Sequence, residues 1–160
     1  MKILIAIDDS EFSRSAVEFC GSLFGANQDA VIKILTSFER MIPPTEPFSV
    51  SDQYVRAVDS QSRAKANETA AKAKDLLCEK YSSLADKISI DVVSGSPART
   101  IVEEAENWKA DLIVTGSHGY GFWKRALLGS VSNAVAHHVP CSVLIVRDPD
   151  HLADQSASES

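Results

Sequence analysis

Five short apolar runs alternate with four stretches of helical periodicity along this 160-residue chain, and that alternation restricts it to a small set of folds. Residues 2–7, an isoleucine-rich run ended by Asp8-Asp9-Ser10, predict a strand buried on both faces with a helix starting directly after it. Phe12, Ala16, Phe19, Cys20, Leu23 and Phe24 recur at three- and four-residue spacing, and Gly25-Ala26-Asn27 supplies a stop. Residues 30–38 read as a second strand. Residues 39–52, with Pro43, Pro44 and Pro47, read as a long loop, and residues 53–81 as a helix whose buried stripe is Ala66, Ala70, Ala73 and Leu77. A third strand at 87–94 leads to Ser96-Pro97, a cap followed by proline at the first helical position, with Ile101, Val102, Ala105 and Trp108 on the buried side. Residues 111–115 and 141–146 read as strands four and five, separated by a glycine-bearing loop and a helix with Val131, Ala134, Val135 and His138 on its stripe. The polar, serine-rich tail from Asp148 reads as disordered.

Such alternation implies a parallel sheet with right-handed crossovers and helices on both faces. It gives no strand order by itself. With order 3-2-1-4-5 the switch point would lie between strands one and four, and Asp8 and Gly116 would face each other across one crevice at the carboxyl ends.

The loop after strand four spells GSHGYGFWKRALLGS, in the spacing Gly116-x2-Gly119-x9-Gly129-Ser130. Glycines at both ends allow positive φ and close backbone approach, and Ser130 is placed to cap the next helix, so the loop suits an anion such as a nucleotide phosphate. Lys124 and Arg125 add adjacent cations to a chain of net charge −6 and pI near 5.2. That acidity argues against a broad basic face for nucleic acid or an anionic membrane. A hydrophobic content of 44% suits one compact domain, and no apolar run reaches the length of a membrane span or completes a signal peptide, so a cytoplasmic location is expected. Cys20, Cys78 and Cys141 are odd in number and widely spaced, which signals neither a disulfide framework nor a zinc site.

Familiar phosphate motifs fail on inspection. GxxxxGK[ST] is absent, and Gly119-x-Gly121 continues to Lys124 rather than to a third glycine, on the wrong βα unit for a dinucleotide fingerprint. A phosphorelay receiver would carry an acidic pair like Asp8-Asp9, but strand three ends Val92-Val93-Ser94-Gly95 with no phosphorylatable aspartate, and strand five ends Val146-Arg147 with no lysine. His137 and His138 point in different directions on a helix and have no third ligand at metal spacing. Trp108 reads as a core anchor and Trp123 as a loop packing residue. No catalytic residue is assigned.

The complete Gly116, Gly119, Gly129, Ser130 pattern, with Ile7-Asp8-Asp9-Ser10 at the front and Pro140-Cys141-Ser142-Val143-Leu144-Ile145-Val146 at the end, resembles the universal stress protein family over residues 1–147. The resemblance implies an open five-stranded parallel α/β sheet of order 3-2-1-4-5, adenine nucleotide alpha hydrolase-like, in a single domain. It further implies ATP as ligand, with Mg2+ accompanying the nucleotide. By resemblance, Gly116, Ser117, His118, Gly119, Gly129, Ser130, Val131 and Ser132 would hold ribose and phosphates, Asp8 would lie near the ribose or the metal, and adenine would lie against the backbone near Ile34. A homodimer through strand five, around Val143 and Ile145, is implied in the same way.

Three functional readings follow. The first is a nucleotide-responsive regulatory dimer with slow or no hydrolysis, since no residue is evidently placed to activate water. The second is an ATPase or self-phosphorylating phosphotransferase using Asp8 and His118. The third is a nucleotide-independent dimeric adaptor in which the glycine loop is a turn.

Overall fold

A computed structural model describes residues 1–40, 51–119 and 128–147. The expectations for Pro43, Pro44, Pro47, Trp123, Lys124, Arg125 and the tail from Asp148 fall outside the described residues. The elements run β1 (Lys2–Ala6), α1 (Glu11–Phe24), β2 (Val31–Phe38), α2 (Asp52–Lys80), a 3-10 turn (Ser82–Lys87), β3 (Ile88–Ser94), α3 (Pro97–Trp108), β4 (Leu112–Gly116), α4 (Ser130–His138) and β5 (Ser142–Val146). All four strand pairings are parallel and the order is β3-β2-β1-β4-β5.

Two apolar clusters hold the layers together. On one face Ile3, Ile5, Ile32 and Ile34 meet Ala16, Val17 and Cys20 of α1 and Ala70, Ala73 and Leu77 of α2. On the other, Leu4, Leu35 and Ile113 meet Ile101 and Ala105 of α3 and Val135 of α4. Side chains alternate across a strand, so the continuous apolar run of β1 is what lets it serve both clusters. On the second face Lys33 interrupts β2. Its ammonium meets Glu104 at 2.7 Å and lies 4.8 Å from the centroid of Trp108, so the half-buried Trp108 packs under a charge as well as against the core.

Several details depart from the sequence reading. Phe19 and Leu23 are 43% and 52% exposed, because α1 turns its small residues, Ser13, Ala16, Val17, Cys20 and Gly21, toward the sheet and so packs closely on it. Gly25 keeps a right-handed φ of −61° and its amide still reaches Gly21 O, so it supplies room rather than a left-handed stop. The room holds the ring of Tyr81. A Cβ on Gly21 would stand 2.6 Å from Tyr81 Cε2, and one on Gly25 would overlap the same ring. The 3-10 turn that buries Leu84 is too short to show periodicity. His138 is exposed, its Nδ1 2.7 Å from Ala134 O, and α4 buries Ser132 and Val135 instead.

Three outcomes follow from this packing. Gly25→Val should lower stability by about 2–3 kcal/mol through overpacking on Tyr81. Combined with Tyr81→Ala in chemical denaturation, it should cost less than the two changes summed, and strict additivity would contradict the contact. Burial pushes the Cys20 thiol up to about 12. It should therefore escape alkylation in the native protein at pH 8, and the stability its protonated form contributes should be complete below about pH 8.5, where the unfolded thiol begins to ionise, and be lost progressively as pH rises from there to about 12. Rapid native-state labelling of Cys20, read by peptide mass spectrometry, would refute its burial. Lys109 ends α3 at φ 55°, where a Cβ is unfavourable, so Lys109→Gly should stabilise by about 1 kcal/mol in thermal melts.

Candidate ligand-binding site

Because the strands are parallel, the carboxyl ends of β1, β2 and β4 lie together at one end of the sheet. From there β1 continues into α1 on one face, while the segment after β4 leads to α4 on the other. The crevice left at that divergence holds a cavity of about 360 Å³. Its walls come from the Ile7–Asp8 turn, from Leu35–Ser37 at the end of β2, from Pro97, Thr100 and Ile101 of α3, and from the two ends of the glycine loop.

The Asp8 wall is fixed by local bonds. Asp8 Oδ1 accepts from the Ser10 amide at 3.1 Å, from Ser10 Oγ and from Ser13 Oγ at 2.6 Å. Ser13 Oγ in turn accepts from the Asp8 amide at 2.9 Å, and Ser10 Oγ accepts from the Ser13 amide at 3.2 Å as the cap of α1. Asp9 points elsewhere, to Lys65 at 3.0 Å.

The opposite wall is the glycine loop, and its glycines act through closeness of approach. Among the described residues the positive-φ glycine is Gly95, not Gly116, Gly119 or Gly129. A Cβ on Gly116 would stand 2.8 Å from the backbone of Phe12, and one on Gly119 would overlap Asp8 Oδ2. One on Gly129 would come 3.2 Å from both His118 Cα and Ser117 O. The loop ends are joined to each other and to the sheet: the Gly129 amide donates to Ser117 O at 2.8 Å, the Ser117 amide to Val146 O at 2.8 Å, and Ser132 Oγ to Gly116 O at 2.7 Å.

These bonds decide which amides can face a ligand. That of Gly129 is committed within the loop and that of Ser117 to the end of β5. Gly129, rather than Ser130, is the N-cap of α4 and brings no side-chain acceptor. The amides of Ser130, Val131 and Ser132 therefore make up the first turn of α4 without intrahelical acceptors, at the positive end of the helix dipole and on the cavity wall. The start of α3 on the same cavity is different in kind, because Pro97 has no N–H to offer. Thr100 Oγ1 donates back to Ser96 O at 3.2 Å and Pro97 O at 3.0 Å, so this end presents mainly its apolar atoms.

Of the residues predicted from sequence, Asp8, Gly116, His118, Gly119, Gly129, Ser130, Val131 and Ser132 line the cavity. Ile34 and Ser117 do not. Ile34 is fully buried against α1 and α2 on the far face, and the strand presents Leu35, Thr36 and Ser37 to the cavity in its place. Ser117 is buried, with Oγ 3.1 Å from His118 Nδ1, and the His118 ring packs on Phe12 with centroids 5.2 Å apart. Sequence reasoning passed over Ser13, Pro97, Thr100 and Ile101, although the Ser96-Pro97 helix start already marked where α3 begins.

The described lining carries no Lys or Arg, so an anion there would be met by helix amides. Among the described residues no three His, Cys, Asp or Glu side chains gather as a metal-ligand set. The donor set thus suits a Mg2+ ion only as part of a nucleotide complex, with phosphates and water as its main ligands and Asp8 as the protein's contribution. No helix among the described residues is long and apolar enough to cross a membrane.

Comparison with known proteins agrees with this architecture. The profile of the universal stress protein family matches residues 1–147. Universal stress protein A homolog 2 of Coxiella burnetii is 35% identical over 149 residues, covering 91% of this chain and 94% of that protein. A shorter match, 53% identical over 57 residues, spans 36% of this chain and 37% of a universal stress protein from Synechocystis sp.. Among solved structures, a universal stress protein in complex with cAMP superposes with a TM-score of 0.64 at 28% identity, covering 91% of this chain and 96% of that one. UspA from Lactobacillus plantarum superposes at 0.78 with 23% identity over 92% and 97% of the two chains, a likeness of fold. By its sequence over residues 1–147, the chain belongs to the universal stress protein family.

Proposed function

We propose that the cavity binds an adenine nucleotide, ATP first among them, and that the protein is a cytosolic, nucleotide-responsive regulatory dimer. The observation that carries this reading is the chemical difference between the cavity's two ends. At α4, three successive first-turn amides suit phosphate oxygens, and at α3 the proline start, Ile101 and Leu35 suit an apolar, planar base. Asp8 lines the same cavity and would accept from a ribose hydroxyl. Membership in the family supports the reading, as does the cAMP held by one solved relative.

Hydrolysis is slow or absent in this account. Attack on a γ-phosphate needs a positioned base and compensation of developing charge. In this account Asp8 serves the ribose rather than a water molecule, and the described lining supplies no Lys or Arg to compensate the developing charge. The nucleotide then acts as a sensed or structural ligand.

The dimer reading rests on β5, which has β4 on one side and the edge of the sheet on the other, with Val143 and Ile145 half-buried along it. Such an edge suits pairing with a second copy. Ile145→Lys should shift the sedimenting species from dimer to monomer, whereas an unaltered dimer would exclude β5 as its interface.

Calorimetric titration of nucleotide-free protein with ATP, with and without Mg2+, tests the ligand reading. Binding should be of about micromolar strength, near −8 kcal/mol, and should be lost in Gly119→Val, whose side chain would collide with Asp8. No heat from an empty, folded wild-type protein would overturn it.

A further inference from the structure

We infer that Ser13 is a positioning residue that sets the Asp8 carboxylate to discriminate ribose from deoxyribose in the nucleotide bound here. The inference rests on the nucleotide reading above and adds a residue and a selectivity to it.

A carboxylate on a turn can rotate about its side-chain torsions, and a rotating acceptor recognises a hydroxyl poorly because ordering it offsets the bond gained. At Asp8 that freedom is removed by a closed ring of bonds. The Asp8 amide donates to Ser13 Oγ at 2.9 Å, Ser13 Oγ donates to Asp8 Oδ1 at 2.6 Å, Ser10 Oγ donates to the same oxygen, and the Ser13 amide donates to Ser10 Oγ at 3.2 Å. Each hydroxyl thus gives its one proton to Oδ1 and receives one from a backbone amide. Ser13 holds the backbone and the carboxylate of Asp8 at once, from a side chain only 5% exposed on the inner face of α1. With Oδ1 saturated, Oδ2 is the oxygen set toward the loop, where it lies so near Gly119 that no Cβ fits there.

A helix cap alone does not require this arrangement. Ser10 already caps α1 by accepting from the Ser13 amide, and Ser13 Oγ contributes nothing to that bond. What Ser13 Oγ adds is the orientation of a charged acceptor, and charge-assisted bonds in fixed geometry are the ones that discriminate most strongly against a missing hydroxyl.

The test is equilibrium titration of the full-length wild type and of Ser13→Ala, Ser13→Thr and Ser10→Ala with ATP, 2′-deoxy-ATP and 3′-deoxy-ATP. For the wild type, the weaker-binding deoxy analogue should bind about tenfold less tightly than ATP, the loss of one charge-assisted bond. In Ser13→Ala that ratio should fall to about twofold while affinity for the deoxy analogue stays within about twofold of wild type, and Ser13→Thr, which keeps the hydroxyl, should restore the ratio. Ser10→Ala supplies a second reading from the other side of the ring and should lower the ratio too. A merely structural role would weaken all three ligands alike and leave the ratio at its wild-type value, which would overturn the inference. ATP binding with a full ratio in both alanine variants would overturn it while leaving the nucleotide reading intact. A wild type that binds none of the three would overturn both.

Discussion

The approach of the β4–α4 connection to the β1–α1 turn governs the rest of this site. Gly116 lies against the backbone of Phe12 there and Gly119 against the Asp8 carboxylate, and in neither place is there space for a Cβ as the groups stand. A side chain at either position would push α4 away from β1 and open the crevice that the sheet order creates. The bonds that secure the approach, from Ser132 to Gly116, from Gly129 to Ser117 and from Ser117 to Val146, then fix the first turn of α4 relative to the sheet. Binding chemistry follows from that placement, since a helix start is useful to an anion only where its amides are held facing the ligand.

The cavity's two ends differ because two helices on the same face begin differently. α4 follows a glycine with no capping side chain, whereas α3 begins with proline and turns its Thr100 hydroxyl back on its own backbone. The third helix start nearby, that of α1, is closed off by Ser10 and serves Asp8 rather than a ligand. Three helix starts thus gather at the carboxyl end of the sheet with three distinct roles, set by the residues Gly129-Ser130, Ser96-Pro97 and Ser10.

Much of this was legible in the sequence, and the reasons are physical. Continuous apolar runs and the Ala66-Ala70-Ala73-Leu77 stripe specify buried strands and a helix face through their periods alone, so β1 and α2 fall where they are read. The glycine spacing locates one wall of the site, and of the two benefits expected of those glycines, positive φ and close approach, the structure shows the second. That distinction depends on what lies opposite each Cα, which no local pattern contains. The Ile34 side chain faces the core under α1 and α2, and because strand residues alternate faces the side chain of its neighbour Leu35 is the one that meets the cavity. Phe19 and Leu23 look like core in a helical wheel, yet close packing on the sheet favours the small residues one position away. Ser13 was invisible because its role arises only once the turn brings its hydroxyl back to Asp8.

The central claim is that the first turn of α4 receives the phosphates, and amide chemical shifts of 15N-labelled protein during titration with ATP test it most directly. The account predicts that the largest perturbations fall on the amides of Ser130, Val131 and Ser132, with those of Ser117 and Gly129, already bonded within the protein, moving less. Saturable binding that leaves the three α4 amides unmoved while shifting residues elsewhere would contradict it.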